Sequence, residues 1–332
     1  MIRPVYTFLL FTLFFFQQAC SAHQSADMSR DVAIPYQVTN NFHDVESHIY
    51  KLADKYGKEN ILLVFDIDNT LLAMNQWLGS DQWFVWQYDL LLQDVNHPEL
   101  FKGINSLPDL LDSQRLLYDV SGMSPPEITQ PNIIKELQDS GFRKILLTSR
   151  GPEMRSSTER ELVRNGYLFG PNKQFPNSPG AFFPYSIDSL KENQFSVTEL
   201  FKYRLIKKET ECQTKDSSLE RLLSLNCLIP PELINYQNGL YMTSGQNKGL
   251  MLKILLETAN KPEEYKNKAI VFVDDTLKHV LDVYNTFSMT ETELALFHYT
   301  HEESEVKDFL RSDKANLRER WKTLLESIGP LQ

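Results

Sequence analysis

Short runs of consecutive apolar residues alternate along this chain with stretches in which apolar positions recur every three or four residues. The runs are ILLVF (61–65), KILLT (144–148), a shorter one near NGLYMTS (238–244), AIVFV (269–273) and LALFHYT (294–300). Runs of this kind read as strands buried on both faces. The periodic stretches read as helices. NFHDVESHIYKLADKYG (41–57) carries Phe42, Val45, Ile49 and Leu52 at helical spacing and stops at Gly57. NIIKELQDSG (132–141), PEMRSSTERELVRNG (152–166), NKGLMLKILLETAN (247–260), a segment from Thr276 and the charged C-terminal region follow the same rule. Strands alternating with amphipathic helices predict an α/β fold, a Rossmann-like parallel sheet covered on both faces. Two stretches break the rhythm. Residues 75–128 read as irregular and aromatic, as in NQWLGSDQWFVWQYDLLLQD (75–94), and residues 167–235 lack a clear period.

In such a sheet, the C-terminal strand ends share one crevice, and here each convincing strand ends in reactive groups. The first finishes in Asp66 and Asp68, the second in Thr148 and Ser149, and a later one in Asp274 and Asp275, while Lys248 opens a helix between the last two. Two ionised carboxylates two residues apart on a strand repel, at a cost in free energy unless a cation or a reaction uses them. The alternative is a pair of turn-capping acids. Trp77, Trp83, Phe84, Trp86 and Tyr88 follow the first acidic turn and read as the core of an inserted segment or as a surface that stacks on an aromatic ligand. Arg150 and Arg155 read either as anion contacts or as helix-surface residues, and His279 and His298 as ordinary helix and strand residues.

The 332 residues are 42% hydrophobic and 23% charged, ordinary for a globular chain with ample core. A formal net charge of −10 argues against binding to a nucleic acid polymer. Arg3 precedes the apolar run VYTFLLFTLFFF (5–16), followed by QQACSA, the layout of a secretory signal peptide over residues 1–22. The run is short for a membrane span, which needs about 20 residues. The expectation is therefore an exported, periplasmic or secreted protein with no span after cleavage. Cleavage after Ala22 and cleavage before Cys20 with a lipid anchor on that cysteine both fit, although Gln17 stands where lipid processing usually has an apolar residue. Loss of residues 1–22 removes only Arg3 and moves the formal charge from −10 to −11. Residues 23–40 read as a flexible leader. Cys212 and Cys227, fifteen residues apart, then form an even pair that reads as a disulfide worth about 3 kcal/mol or as two separate thiols.

Taken in order, VFDIDNT, ILLTSRG, the lysine of GQNKG and IVFVDDT resemble the four motifs of the haloacid-dehalogenase-like (HAD) phosphohydrolases, over about residues 60–300. FDIDNTLL and LLTSRG are also similar to exported bacterial acid phosphatases of that superfamily. The resemblance implies a HAD-like core over residues 41–332 with inserted cap segments at 75–128 and 167–235. It implies Mg²⁺-dependent hydrolysis of small phosphomonoesters, with Asp66 as nucleophile and Asp68 as general acid and base. Thr148 or Ser149, together with Lys248, would bind the phosphoryl group. Asp66, the backbone carbonyl of Asp68, Asp274 and Asp275 would hold Mg²⁺. Family members often carry a second acid four residues after the first of the fourth motif, where Lys278 stands here. The alternative is a secreted or surface-attached binding protein that keeps the fold without the turnover.

Overall fold

The structure, a computed structural model, describes residues 34–167, 181–184, 233–259 and 267–328. The expected signal peptide, both cleavage points, Cys20 and the Cys212–Cys227 pair lie outside the described residues. The described residues form ten strands: β1 (Gln37–Thr39), β2 (Ile61–Phe65), β3 (Ala73–Met74), β4 (Met123–Ser124), β5 (Arg143–Thr148), β6 (Ala181–Pro184), β7 (Leu233–Gln237), β8 (Leu240–Met242), β9 (Ala269–Asp274) and β10 (Glu293–Tyr299). Eight of them form one sheet in the order β1-β10-β9-β2-β5-β8-β7-β6. The pairings from β1 to β8 are parallel, and those of β7 with β8 and β6 are antiparallel. The α/β, Rossmann-like reading therefore holds, with an antiparallel extension at one edge.

Successive residues of β2 point to opposite faces, and all five are buried. Leu62 and Val64 join Ile270, Phe272 and Leu296 beneath helices α6 (Lys248–Ala259) and α7 (Leu277–Phe287). Ile61, Leu63 and Phe65 join Val271, Val273 and Phe297 on the other face, with α1 (Phe42–Tyr56) and α4 (Gln130–Asp139). Each such side chain contributes about 1.5–3 kcal/mol by leaving water. Helix α1 starts at Asn41, whose side chain accepts from the His43 N–H, and ends at Gly57, whose φ of 79° suits glycine. A short helical turn at 152–154 leads into α5 (Arg155–Arg164).

Three sequence expectations change. Gln37–Thr39, inside the stretch read as leader, is the edge strand β1 paired with β10; three residues are too few to show alternation. The stretch read as irregular contains helices α2 (Asp81–Gln93) and α3 (Leu107–Val120). Its ends meet in a two-stranded ladder, Ala73 opposite Ser124 and Met74 opposite Met123, so the insert leaves and returns at one point. Third, β6 and β7 lie mainly within the other segment that broke the rhythm. Asn238 (φ 53°) and Gly239 (φ 80°) form the two-residue turn from β7 to β8. That Asn-Gly pair is a hairpin signal the parallel-sheet reading passed over.

The insert has its own core. Leu78, Trp83, Phe101, Ile104, Leu110 and Leu117 pack with Phe309, Leu317 and Trp321 of the C-terminal helices α8 (Glu303–Arg311) and α9 (Ala315–Ile328). Trp77 Nε1 donates to Glu305 at 2.5 Å, and Trp321 Nε1 donates to the Lys102 carbonyl at 2.9 Å. Among the described residues, no helix is long and apolar enough to cross a membrane.

Candidate active site

Strand register brings the acids together. β2 and β9 are parallel neighbours with Phe65 opposite Val273, so Asp66 and Asp274 end adjacent strands on the same side. The Asp66 N–H continues the ladder by donating to the Val273 carbonyl at 2.9 Å. On the other flank of β2, β5 ends at Thr148. After Asp66 the chain turns back sharply. The N–H groups of Thr70, Leu71 and Leu72 converge on the Ile67 carbonyl, and Asn69 takes a φ of 54°.

Lys248, the first residue of α6, sits in the middle. Its ammonium is buried and donates to Asp66 Oδ1 and, at 2.7 Å, to Asp274 Oδ2. It reaches this position because α6 and α7 approach closely at Gly249, where a Cβ would collide with the Asp282 carbonyl and the Thr286 hydroxyl. Asp66 Oδ2 accepts from the Thr70 hydroxyl at 3.3 Å, and Thr70 Oγ1 in turn accepts from the Asp275 N–H at 3.0 Å. One carboxylate oxygen from each of Asp66, Asp274 and Asp275 lies within 4.8 Å of the others.

This crowding sets the protonation pattern. Burial pushes the Asp66 carboxyl up to about 8, with Asp274 and Asp68 adding to the effect and Lys248 opposing it. Burial works in the same direction on Asp274, but Lys248 and His279 outweigh it and hold that carboxyl down to about 2. Burial, then Asp66 and Asp274, push Asp275 well above the carboxylate range. Burial alone would lower Lys248; its two carboxylate partners hold it above the ordinary lysine range instead.

Asp68 is separate from this triad. Arg150 grips its carboxylate with two hydrogen bonds, Nε to Oδ2 at 2.9 Å and Nη2 to Oδ1 at 2.7 Å, and Tyr118 Oη donates to Oδ1 at 3.1 Å. The buried guanidinium lies 4.2 Å from the Tyr118 ring centroid and also donates to Thr158 at 2.8 Å. Arg150 is therefore the buried partner of an acid of the chain itself, a role that neither reading of it had named. Arg155 instead pairs with Glu159 at 2.7 Å and reaches the Leu240 carbonyl at 3.1 Å.

Thr148 is fully buried, and its hydroxyl oxygen accepts from the Arg150 N–H at 3.1 Å. The Ser149 hydroxyl is buried with no hydrogen-bond partner among the described residues.

The histidines correct the sequence reading. His279 Nδ1 lies 3.1 Å from Asp274 Oδ1, and because an ionised carboxylate only accepts, that nitrogen carries the proton. Burial, with Lys248, lowers the imidazole below its usual range. His298 Nε2 meets the Asp275 backbone carbonyl at 2.9 Å. A residue five after a strand-end acid, in the first turn of the next helix, can fold back on that acid; this spacing was the available signal for His279. Lys278 pairs with Asp282 at 2.6 Å on a largely exposed side chain.

The insert supplies Tyr118, which the sequence did not single out. Trp83 is wholly inside the core of the insert, and Trp77, Phe84, Trp86 and Tyr88 pack against that core.

Fold and site define an α/β protein whose carboxylates and one lysine gather at the C-terminal ends of a Rossmann-like sheet. The chain belongs to the family described as "Protein of unknown function (DUF2608)", which matches residues 38–329. No curated protein and no solved structure matches it.

Proposed function

We propose that this protein is an exported, Mg²⁺-dependent phosphohydrolase of HAD type, acting on small phosphomonoesters through Asp66. The observation that supports it most is the convergence of Asp66, Asp274 and Asp275 around the Lys248 ammonium. Three carboxylate oxygens within 4.8 Å of one another are a donor set suited to a hard divalent cation, which would relieve their mutual repulsion. Asp66, Asp274 and Asp275 would hold it, joined by the Asp68 carbonyl, and it would supply positive charge to the transferring phosphoryl group.

The chain's own residues carry the reaction. An Asp66 carboxylate oxygen attacks phosphorus, the bond from phosphorus to the alcohol oxygen breaks, and Asp68, which takes up a proton from solvent before the step in exchange for one of its contacts to Arg150 or Tyr118, gives that oxygen its proton. Water then attacks phosphorus of the aspartyl-phosphate, Asp68 takes a proton back, and Asp66 is released with inorganic phosphate. Arg150 and Tyr118 fix the position of the Asp68 carboxylate. Lys248 and the Ser149 hydroxyl face the phosphoryl oxygens, with Thr148 holding the turn after β5. His279 orients Asp274, the role that partners of metal ligands usually play.

The test is hydrolysis of an aryl phosphate by the mature chain with Mg²⁺, with EDTA, and in Asp66→Asn. Turnover lost on chelation and reduced by about 10³-fold or more in the variant is the expected result. A folded protein that neither turns over nor binds Mg²⁺ would instead favour a partner-binding role for this fold.

A further inference from the structure

Two side chains donate to the Asp68 carboxylate, and helix α5 holds them both. Arg150 comes from the turn after β5, and Tyr118 from the last turn of α3, just before the insert rejoins the sheet at β4. On the Arg150 side, the Thr158 hydroxyl accepts from Nη1 at 2.8 Å and donates to the Met154 carbonyl at 2.7 Å. That fixes the guanidinium.

The Tyr118 side is held through its backbone. α3 ends at Ser121 in an extended conformation rather than in a left-handed cap, so its last carbonyls lack partners within the helix. Arg160 supplies the donors. Its Nη2 reaches the Tyr118 carbonyl at 2.7 Å and the Ser121 carbonyl at 3.4 Å, and its Nη1 reaches the Asp119 carbonyl at 3.1 Å. Its Nε donates to Glu161 Oε1 at 2.9 Å, which aims the rest of the guanidinium at α3. Glu161 is fully buried and also accepts from the Met123 N–H at 2.9 Å and from Arg164 Nη1 at 3.2 Å. Asn165 Nδ2 donates to the Met123 carbonyl at 3.0 Å. α5 thus grips the returning end of the insert from Tyr118 to Met123.

The carbonyl that Arg160 holds most closely belongs to Tyr118, whose hydroxyl touches Asp68. The Tyr118 ring is buried against the Arg150 guanidinium, so a shift of its backbone is passed on to the hydroxyl.

Resting on the phosphohydrolase reading, we infer that Arg160 is a positioning residue for proton transfer to the departing alcohol. By holding the Tyr118 backbone it sets the Tyr118 hydroxyl, and through it the Asp68 carboxylate. The step it serves is the one in which the bond from phosphorus to the alcohol oxygen breaks and Asp68 gives that oxygen its proton. A misplacement of about 1 Å can cost about 10²-fold, and here the cost falls only on esters whose leaving oxygen needs the proton.

The experiment compares phenyl phosphate, whose phenol leaves poorly without a proton, with 4-nitrophenyl phosphate, whose phenol leaves readily as an anion. kcat/KM covers the steps through loss of the alcohol. It is measured with the Mg²⁺-loaded wild type, Arg160→Ala, Arg160→Lys, Tyr118→Phe and the double variant of Arg160→Ala with Tyr118→Phe. Arg160→Ala is expected to lose about 10-fold more on phenyl phosphate than on the nitrophenyl ester. Arg160→Lys, with a donor left for one carbonyl, shows a smaller difference of the same kind. Adding Arg160→Ala to Tyr118→Phe costs little more, because both act through one hydroxyl. A crystal structure of metal-free Arg160→Ala reads the displacement directly, with the Tyr118 hydroxyl out of hydrogen-bond distance of Asp68. No loss, an equal loss on both esters, effects that multiply in the double variant, or an unmoved Tyr118 each overturn the inference, while wild-type turnover leaves the phosphohydrolase reading standing. Should Arg160→Ala not fold, Arg160→Lys and its double variant with Tyr118→Phe decide. If the wild type hydrolyses neither ester, the reading and the inference fall together.

Discussion

The strand-end cluster and the helical insert that borders it are built by opposite rules. In the first, every reactive side chain follows an apolar strand or opens a helix packed on the sheet, so backbone register sets its position and the charges pair across large sequence separations. Lys248 meets Asp66 from 182 residues away. In the second, a core rich in tryptophan and phenylalanine holds two helices against the C-terminal pair, and the Tyr118 hydroxyl reaches Asp68. The sheet half thus holds the carboxylate and lysine cluster, and the insert borders it through Tyr118.

If the halves are separable in this way, substitutions in each should leave the function of the other intact. Lys248→Met leaves two buried carboxylates without their cation and should lower metal-free stability by about 3–5 kcal/mol. Mg²⁺ should restore most of it, because a divalent cation answers the same charges; thermal unfolding with and without Mg²⁺ measures this, and an equal loss in both conditions would show that the triad does not take the metal. Leu110→Ala, in the fully buried core of the insert, should cost about 2–3 kcal/mol. Calorimetric titration should find its Mg²⁺ affinity unchanged while KM rises for an aryl phosphate. A loss of metal binding there would break the separation.

The smallest effect is expected away from both regions. Glu293 accepts from Lys55, at 2.5 Å, and from Tyr56, tying β10 to α1, and these donors hold its carboxyl below the ordinary glutamate value of 4.5. A lowered carboxylate stabilises the fold above its unfolded value and loses that contribution as pH falls through the folded one. Glu293→Gln should therefore lower Tm slightly at neutral pH, with the gap closing as the medium is acidified below 4.5. A gap constant across that range would mean that the charge is not what matters.

The same contrast explains what could be read in the sequence. Asp66, Thr148, Lys248 and Asp274 were legible because each is attached to a strand or helix with a strong apolar signature. Helix α2 was not, because Trp83 and Leu90 share its buried positions with Gln82 and Gln87, while Phe84, Trp86 and Tyr88 are half-buried aromatics between them. Gln87 looks like a surface residue by composition, but its side chain accepts from the Phe101 N–H at 2.8 Å inside the insert. With that helix unreadable, Tyr118 on the helix that follows could not be placed at the site either. Arg150 was legible as a charge near the site, but not as the partner of Asp68, since that pairing depends on where the turns after β2 and β5 bring the two side chains.

The most direct measurement is to trap the phosphoryl group on the protein: incubate the Mg²⁺-loaded chain briefly with an activated phosphomonoester, quench in acid, and map the added mass by peptide sequencing. A phosphoryl group on Asp66, absent in Asp66→Asn and after chelation, is the expected result. Turnover with the label on another residue, or with the same rate in Asp66→Asn, would contradict the assignment of Asp66 as nucleophile.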